Sequence, residues 1–235
     1  MTTRQARQRE SQREDTREEI KAFARQQMAA EGTAALSLRA IARDMEMTAP
    51  ALYRYFPSRD ELITALIVDA FNALADALEA ADAAQPQQDY TGRLRAVLMA
   101  YRGWALEHPT DFQLIYGNPI PGYSAPRELT VPAVVRGFQA IIRPMGEADQ
   151  AGLITIPPEA QHLPASLDQH FHGLIVSGNY PISSALFYLG VTMWTRIHGI
   201  IMLELYHHLG PTVGSVDDLF AHEVQHILRR VGMGL

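Results

Sequence analysis

The chain contains no cysteine. That absence excludes disulfide bonds, thiolate nucleophiles and cysteine-ligated metals, and it agrees with a reducing cytoplasm. Runs that alternate apolar and polar residues are scarce, and the long apolar stretches are broken by charge, which points to an all-α chain. An uninterrupted membrane-length run is also missing. The most apolar window, residues 185–205, carries Arg196, His198 and Glu204, so a buried helix is expected there and no membrane association. The opening residues are polar and charged, and no secretory signal is expected in them. Excess positive charge is lacking too. The formal net charge is −6, which argues against a generic nucleic-acid binder, yet residues 1–60 hold eleven Lys/Arg against nine Asp/Glu while residues 61–235 hold nine against seventeen. The first quarter is therefore the place to look for DNA contact.

A length of 235 residues, 47% of them hydrophobic, suits one or two domains with a substantial core. Residues 1–15 form a basic and polar arm with Arg4, Arg7, Arg9 and Arg13, which could reach along phosphate or into a minor groove, but Glu10, Glu14 and Asp15 dilute it and flexibility is the expectation. Thr16-Arg17-Glu18-Glu19 has the spacing of a capping box, leading into Ile20, Phe23, Ala24 and Met28 at helical period, and Gly32 should end that first helix. Leu38, Ile41, Ala42 and Met45 mark a short second helix with Ser37 as N-cap. Met45-Glu46-Met47 is a tight turn. Thr48 then caps a third helix, with Pro50 in its first turn and Leu52 and Phe56 facing inward, and Ser58-Arg59-Asp60-Glu61 opens a fourth. Two short helices joined by a turn and packed on a longer one make a helix-turn-helix, whose second helix can enter the major groove. Its outer face holds Pro50, Ala51, Tyr53, Arg54 and Tyr55. Arg54 suits guanine O6 and N7, Pro50 and Ala51 suit a thymine methyl, and the tyrosine hydroxyls suit phosphate. A plain three-helix packing unit with surface aromatics is the alternative at this level of reading.

The stretch TREEIKAFARQQMAAEGTAALSLRAIARDMEMTAPALYRYFPSRDELI resembles the DNA-binding domain of the TetR (tetracycline-repressor) family, above all in Leu52-Tyr53-Arg54-Tyr55-Phe56 followed by Ser58-Arg59-Asp60-Glu61-Leu62. The resemblance implies that Thr48, Ala49, Pro50, Ala51, Tyr53 and Tyr55 meet DNA, that Ser37 and Arg39 touch its backbone, and that Arg59 replaces a lysine on phosphate. Where the family has a small residue, a glycine and a branched apolar residue in the turn, this chain has Met45, Glu46 and Met47, so Glu46 is expected at positive φ. The DNA-binding domain is placed at residues 16–62.

Residues 63–235 read as an effector-binding and dimerisation domain, for about ten helices in all. The fourth helix should span 59–83, with later ones near 93–108, 110–116, 130–146, 167–177, 182–209 and 216–231. Residues 182–209 are apolar nearly all round and require burial on more than one side, so that segment and 216–231 are expected to form half of a homodimer interface, as the resemblance also implies. Trp194-Thr195-Arg196-Ile197-His198-Gly199, with Ala105-Leu106-Glu107-His108-Pro109 upstream, resembles the Trp-His-Gly type of effector domain in that family. Such a domain implies an apolar pocket for a small-molecule effector, and Tyr101, Trp104, Phe112, Tyr116, Phe138, Phe171, Tyr188, Trp194 and His198 are its candidate lining.

One motif points elsewhere. His222-Glu223-Val224-Gln225-His226 fits the H-E-x-x-H pattern, in which two histidines share a helix face around zinc and the glutamate serves as general base. A third ligand is not apparent, because residues 227–235 contain no His, Asp, Glu or Cys, although Glu204, His207 or His208 stay open upstream. The plainer reading makes His222, Glu223 and Gln225 a solvated face opposite the apolar stripe of Leu219, Phe220, Val224, Ile227, Leu228 and Val231. The combined expectation is a cytoplasmic, homodimeric, non-enzymatic regulator without cofactor or metal. It would repress from a palindromic double-stranded operator and be released by a small, mainly apolar effector; a zinc hydrolase is the alternative.

Overall fold

The computed structural model describes residues 3–233, which contain twelve α-helices, nine of them seven residues or longer, one 3-10 turn and no strand among the described residues. In chain order the helices are α1 (Thr3–Glu31), α2 (Leu38–Asp44), α3 (Ala49–Tyr53), α4 (Arg59–Ala83), α5 (Tyr90–Glu107) and α6 (Pro109–Tyr116). They continue with α7 (Arg127–Gln150), α8 (Pro158–Gln161), α9 (Ala165–Gly178), α10 (Ser184–Leu205), α11 (Gly210–Val213) and α12 (Val216–Arg230). The two beyond the ten expected are α8 and α11, single turns of four residues with Pro in their first turn and no room for a periodic stripe.

Residues 3–15 differ from the flexible arm expected there. Residues 3–15 are helical and continue without a break into α1, while residues 1 and 2 of the expected arm, like 234 and 235 at the other end, lie outside the described residues. Residues 3–31 contain neither Gly nor Pro, and Arg, Gln, Glu and Ala are strong helix formers, so intrinsic propensity carries the helix where no apolar face does. Thr16 is consequently not an N-cap. Its hydroxyl donates to the Gln12 carbonyl one turn back, at 2.9 Å. The C-terminal end follows expectation: Gly32 takes φ 87° and its N–H closes on the Met28 carbonyl at 2.8 Å.

The chain divides into two compact units, one of Met1–Ala70 with His108–Val131 and the other of Phe71–Glu107 with Pro132–Leu235. The division falls inside α4, eight residues past the boundary expected at 62, and the first unit regains a later segment containing α6. Within that unit Ile20, Ala24 and Met28 of α1, Ile41 of α2, Leu52 of α3, Leu62 and Leu66 of α4 and Phe112 of α6 form the core. Polar ties frame it. Lys21 pairs with Asp69 at 2.6 Å, Arg25 grips both oxygens of Asp111 at 3.0 Å, and the Tyr123 hydroxyl meets that of Thr64 at 2.9 Å.

In the second unit α10 packs on α9, α12 and α5. It also passes close to α7 at Gly190, where an added Cβ would sit 2.5 Å from the end of the Ile142 side chain and would require that side chain to move. A buried ion network ties α4, α5 and α7 together. Arg93 donates to both oxygens of Asp82, at 2.7 and 3.2 Å, and to Glu147 at 2.5 Å, while Arg143 reaches Asp82 at 2.5 Å. Burial raises the Asp82 carboxyl pKa, but the hydrogen bonds from Arg93 and Arg143 outweigh it and hold the group below the ordinary carboxylate value.

A depressed folded pKa gives stability that is present above the unfolded value and lost as pH falls through the folded one, here below about pH 4. Urea denaturation should therefore show that Asp82→Asn costs roughly 3 kcal/mol at neutral pH, because it leaves Arg93 buried beside a neutral amide. The same variant should lose less stability than the wild type between neutral and acid pH.

Candidate nucleic-acid interface

A helix of five residues does not form alone, since nucleation consumes most of what its few hydrogen bonds return. α3 exists because its surroundings hold it. Thr48 stands at the N-cap in extended conformation, and its carbonyl accepts from Ala51 and Leu52 at 2.9 and 3.2 Å, although its hydroxyl makes no capping bond. Leu52 is wholly buried and Phe56 nearly so. At the far end Arg17 of α1 donates to the Tyr55 carbonyl at 2.7 Å, with its guanidinium 4.4 Å from the centre of the Phe56 ring. The turn before α3 does take the unusual geometry: Glu46 has φ 54°, which lets Met47 N–H reach the Ala42 carbonyl at 2.8 Å.

The candidate DNA residues separate by what they already do. Arg39, Thr48, Pro50, Tyr53 and Arg54 are exposed, and Ala49, Ala51 and Tyr55 are half-buried beside them. Tyr53 ends α3, so Arg54 and Tyr55 lie in the turn that follows and not on the helix proper. Ser37 caps α2 as expected, its hydroxyl accepting from Ala40 N–H at 3.4 Å, and its own N–H donates to Gln27 at 3.0 Å. Arg59 is turned toward its own chain: its Nε and one Nη donate to the carbonyls of Leu36 and Ala34, each at 3.0 Å. It steadies the segment leading into α2. Arg9, Gln12, Arg13, Asp15 and Thr16 of α1 face Arg54 and Tyr55 across an open groove of about 840 Å³. Its sequence signal is the i, i+4 spacing of Arg9, Arg13 and Arg17, which runs on into buried Ile20 and Ala24.

The candidate effector residues fall in both units. In the second unit Tyr101, Trp194 and His198 form a hydrogen-bonded trio, with Trp194 Nε1 donating to the Tyr101 hydroxyl at 3.2 Å and that hydroxyl 2.8 Å from His198 Nδ1. Burial pushes the His198 imidazole below its usual pKa, and a neutral ring can accept the Tyr101 hydroxyl through Nδ1. Phe138, Phe171 and Tyr188 instead belong to the cluster that holds Phe187, and Trp104 is buried on α5. Phe112 and Tyr116 belong to the first unit, with ring centres 5.1 Å apart. A cleft of about 430 Å³ in the second unit is lined by Glu79, Arg143, Glu147, Asn179 and Tyr180 among others, none of them a sequence candidate.

HEVQH lies on α12 with His222 and His226 exposed. Glu223, expected in solvent, is half-buried and paired with the Arg196 guanidinium of α10, which occupies the carboxylate a general base would need free. The neighbouring candidate Glu204 is bound by Arg102 at 2.5 and 2.7 Å. No group of three His, Asp or Glu side chains that could hold a metal occurs among the described residues.

A short helix ending in Tyr53, with Arg54 in the turn after it, set by a tight turn behind a capped α2, defines a DNA-binding regulator of the helix-turn-helix class. Residues 20–66 match the family described as "Bacterial regulatory proteins, tetR family", and residues 94–227 match "Tetracyclin repressor-like, C-terminal domain". The chain belongs to the TetR family of transcriptional regulators. It is 34% identical over 202 residues to the HTH-type transcriptional regulator Rv1816 of Mycobacterium tuberculosis, covering 84% of this chain and 86% of the relative. Among solved structures, a crystallised protein described as regulatory, SCO4313, is 34% identical with a TM-score of 0.78 over 94% of this chain and 98% of its own. A TetR family transcription regulator from Marinobacter aquaeolei, 18% identical, shares the fold with a TM-score of 0.62 over 96% and 98% of the two chains.

Proposed function

We propose that this regulator is a cytoplasmic homodimeric repressor that occupies a palindromic operator and leaves it when a small, mainly apolar molecule binds the second unit. The observation that carries the DNA half is the exposed Tyr53–Arg54 edge at the end of α3, a helix held in place by the buried Leu52 and Phe56 and by Arg17. A guanidinium there reaches base edges bidentately, a phenol suits phosphate, and Thr48, Pro50 and Ala51 complete the surface at the groove. Ser37 and Arg39 add backbone contact at the start of α2.

The dimer is supported by α10. This helix is long and apolar enough by composition to cross a membrane, yet only 39% of its most apolar window is buried within one chain, and Leu203 and Tyr206 at its end are exposed. Arg196 and Glu204 within it form ion pairs, which suits a protein partner better than lipid. A second copy laid against residues 182–209 and 216–231 would cover that face and set two recognition helices about 34–36 Å apart, one turn of duplex. The effector half rests on the aromatic groups of the second unit. A ligand that fits only a dimer with a different spacing shifts the population away from DNA.

Binding to DNA from around the protein's own gene, followed across a salt series, tests the first half. The wild type should bind and weaken with salt, and the Tyr53→Ala/Arg54→Ala double variant should lose at least tenfold in affinity; equal affinity of the two would discard this surface. Sedimentation should give twice the chain mass for the wild type and the single-chain mass for Leu203→Glu/Tyr206→Glu, whereas a dimeric variant would move the interface elsewhere.

A further inference from the structure

The groove between α1 and the end of α3 has a charge pattern that the family reading does not use. Residues 4–15 are all exposed, so no packing accounts for this stretch of helix. Its charges are nevertheless sorted. Arg9, Arg13 and Arg17 follow one another at i, i+4 and i+8 along the face that becomes buried at Ile20, whereas Glu18 and Glu19 turn away on a wheel of 3.6 residues per turn, Glu10 falls at the edge of that face, and Glu14 stands 4.0 Å from Arg17. Arg17 is fixed at the head of the stripe by its bond to the Tyr55 carbonyl. Beyond that tie the groove opens, with Arg9 and Arg13 on one wall, Arg54 on the other and Asp15 as the only carboxylate in the lining.

We infer that this groove holds the phosphate backbone of the DNA strand beside the recognition helix, with Arg9 and Arg13 as an additional phosphate clamp. Duplex DNA is the occupant that the charge and position select. Three guanidiniums against one carboxylate favour a polyanion, the groove is too open to enclose a small molecule, and one of its walls is the DNA-reading turn itself. A clamp carried on a helix continuous with the core is ordered before DNA arrives, so it loses less entropy on binding than a flexible basic arm would. Its contribution is independent of sequence, because phosphate contacts position a protein without reading bases.

The inference rests on the regulator reading above, and a mixed-sequence DNA duplex separates the two. Full-length wild type, Arg9→Ala/Arg13→Ala and Arg4→Ala/Arg7→Ala are titrated with it over a range of salt. Alanine keeps the arm helical, and the second pair removes equal charge from the opposite face. The clamp requires the slope of log K against log salt to flatten by about 2 for each engaged subunit in the Arg9/Arg13 variant, and to stay at the wild-type value in the Arg4/Arg7 variant. An unchanged slope in the first variant, or an equal change in both, would overturn the clamp while leaving the helix-turn-helix reading intact. A wild type without salt-dependent binding to duplex would overturn both.

Discussion

The smallest helix in the DNA-reading surface is the one least able to sustain itself. α3 spans five residues, and what holds it is the insertion of Leu52 and Phe56 into the core beneath it together with the Arg17 guanidinium closing over its end. That contact matters beyond its own energy. It ties α1 to the Tyr55 carbonyl, and so sets where Tyr53 and Arg54 point and where the basic stripe of α1 lies relative to them. Arg59 performs a similar duty on the other side by tying the Ala34 and Leu36 carbonyls. Both arginines serve the interface by fixing backbone, and neither has to touch DNA to matter.

The second unit shows a different balance. Its helices are joined by apolar packing and by ion networks centred on two buried arginines, Arg93 with Asp82 and the partly exposed Glu147, and Arg102 with Glu204 and the exposed Asp217. Such networks stabilise little relative to well-packed apolar side chains, but they penalise any arrangement that separates the partners. The Tyr101, Trp194 and His198 trio adds directional hydrogen bonds in a half-buried setting. A unit with these features resists small distortions.

Much of this was legible in the sequence where the signal is local. Ser37 as the cap of α2, Ser58 as the cap of α4, the end of α1 at Gly32, the extent of α4 and the positive φ of Glu46 all follow from side-chain chemistry within a few residues. Where the signal depends on partners distant in sequence, it faded. Thr16 has the spacing of a cap, but the helix formers before it carry α1 back to Thr3 and convert the hydroxyl into a mid-helix donor. Glu223 looked solvated because nothing near it in sequence reveals Arg196 of α10 opposite. The resemblance to a Trp-His-Gly effector domain implies a pocket, but sequence shows only which face of a helix is apolar and not which neighbour fills it. Tyr101 and Trp194 therefore belong together while Phe112 and Tyr116 fall in the other unit.

The central claim is that α1 positions the reading turn through Arg17. The most direct measurement is the affinity of full-length Arg17→Met for the DNA that the wild type binds, since methionine keeps apolar cover over Phe56 but cannot donate to Tyr55. The account predicts a loss of about tenfold or more, equivalent to about 1.4 kcal/mol, with the chain still folded. Wild-type affinity in that variant would contradict it.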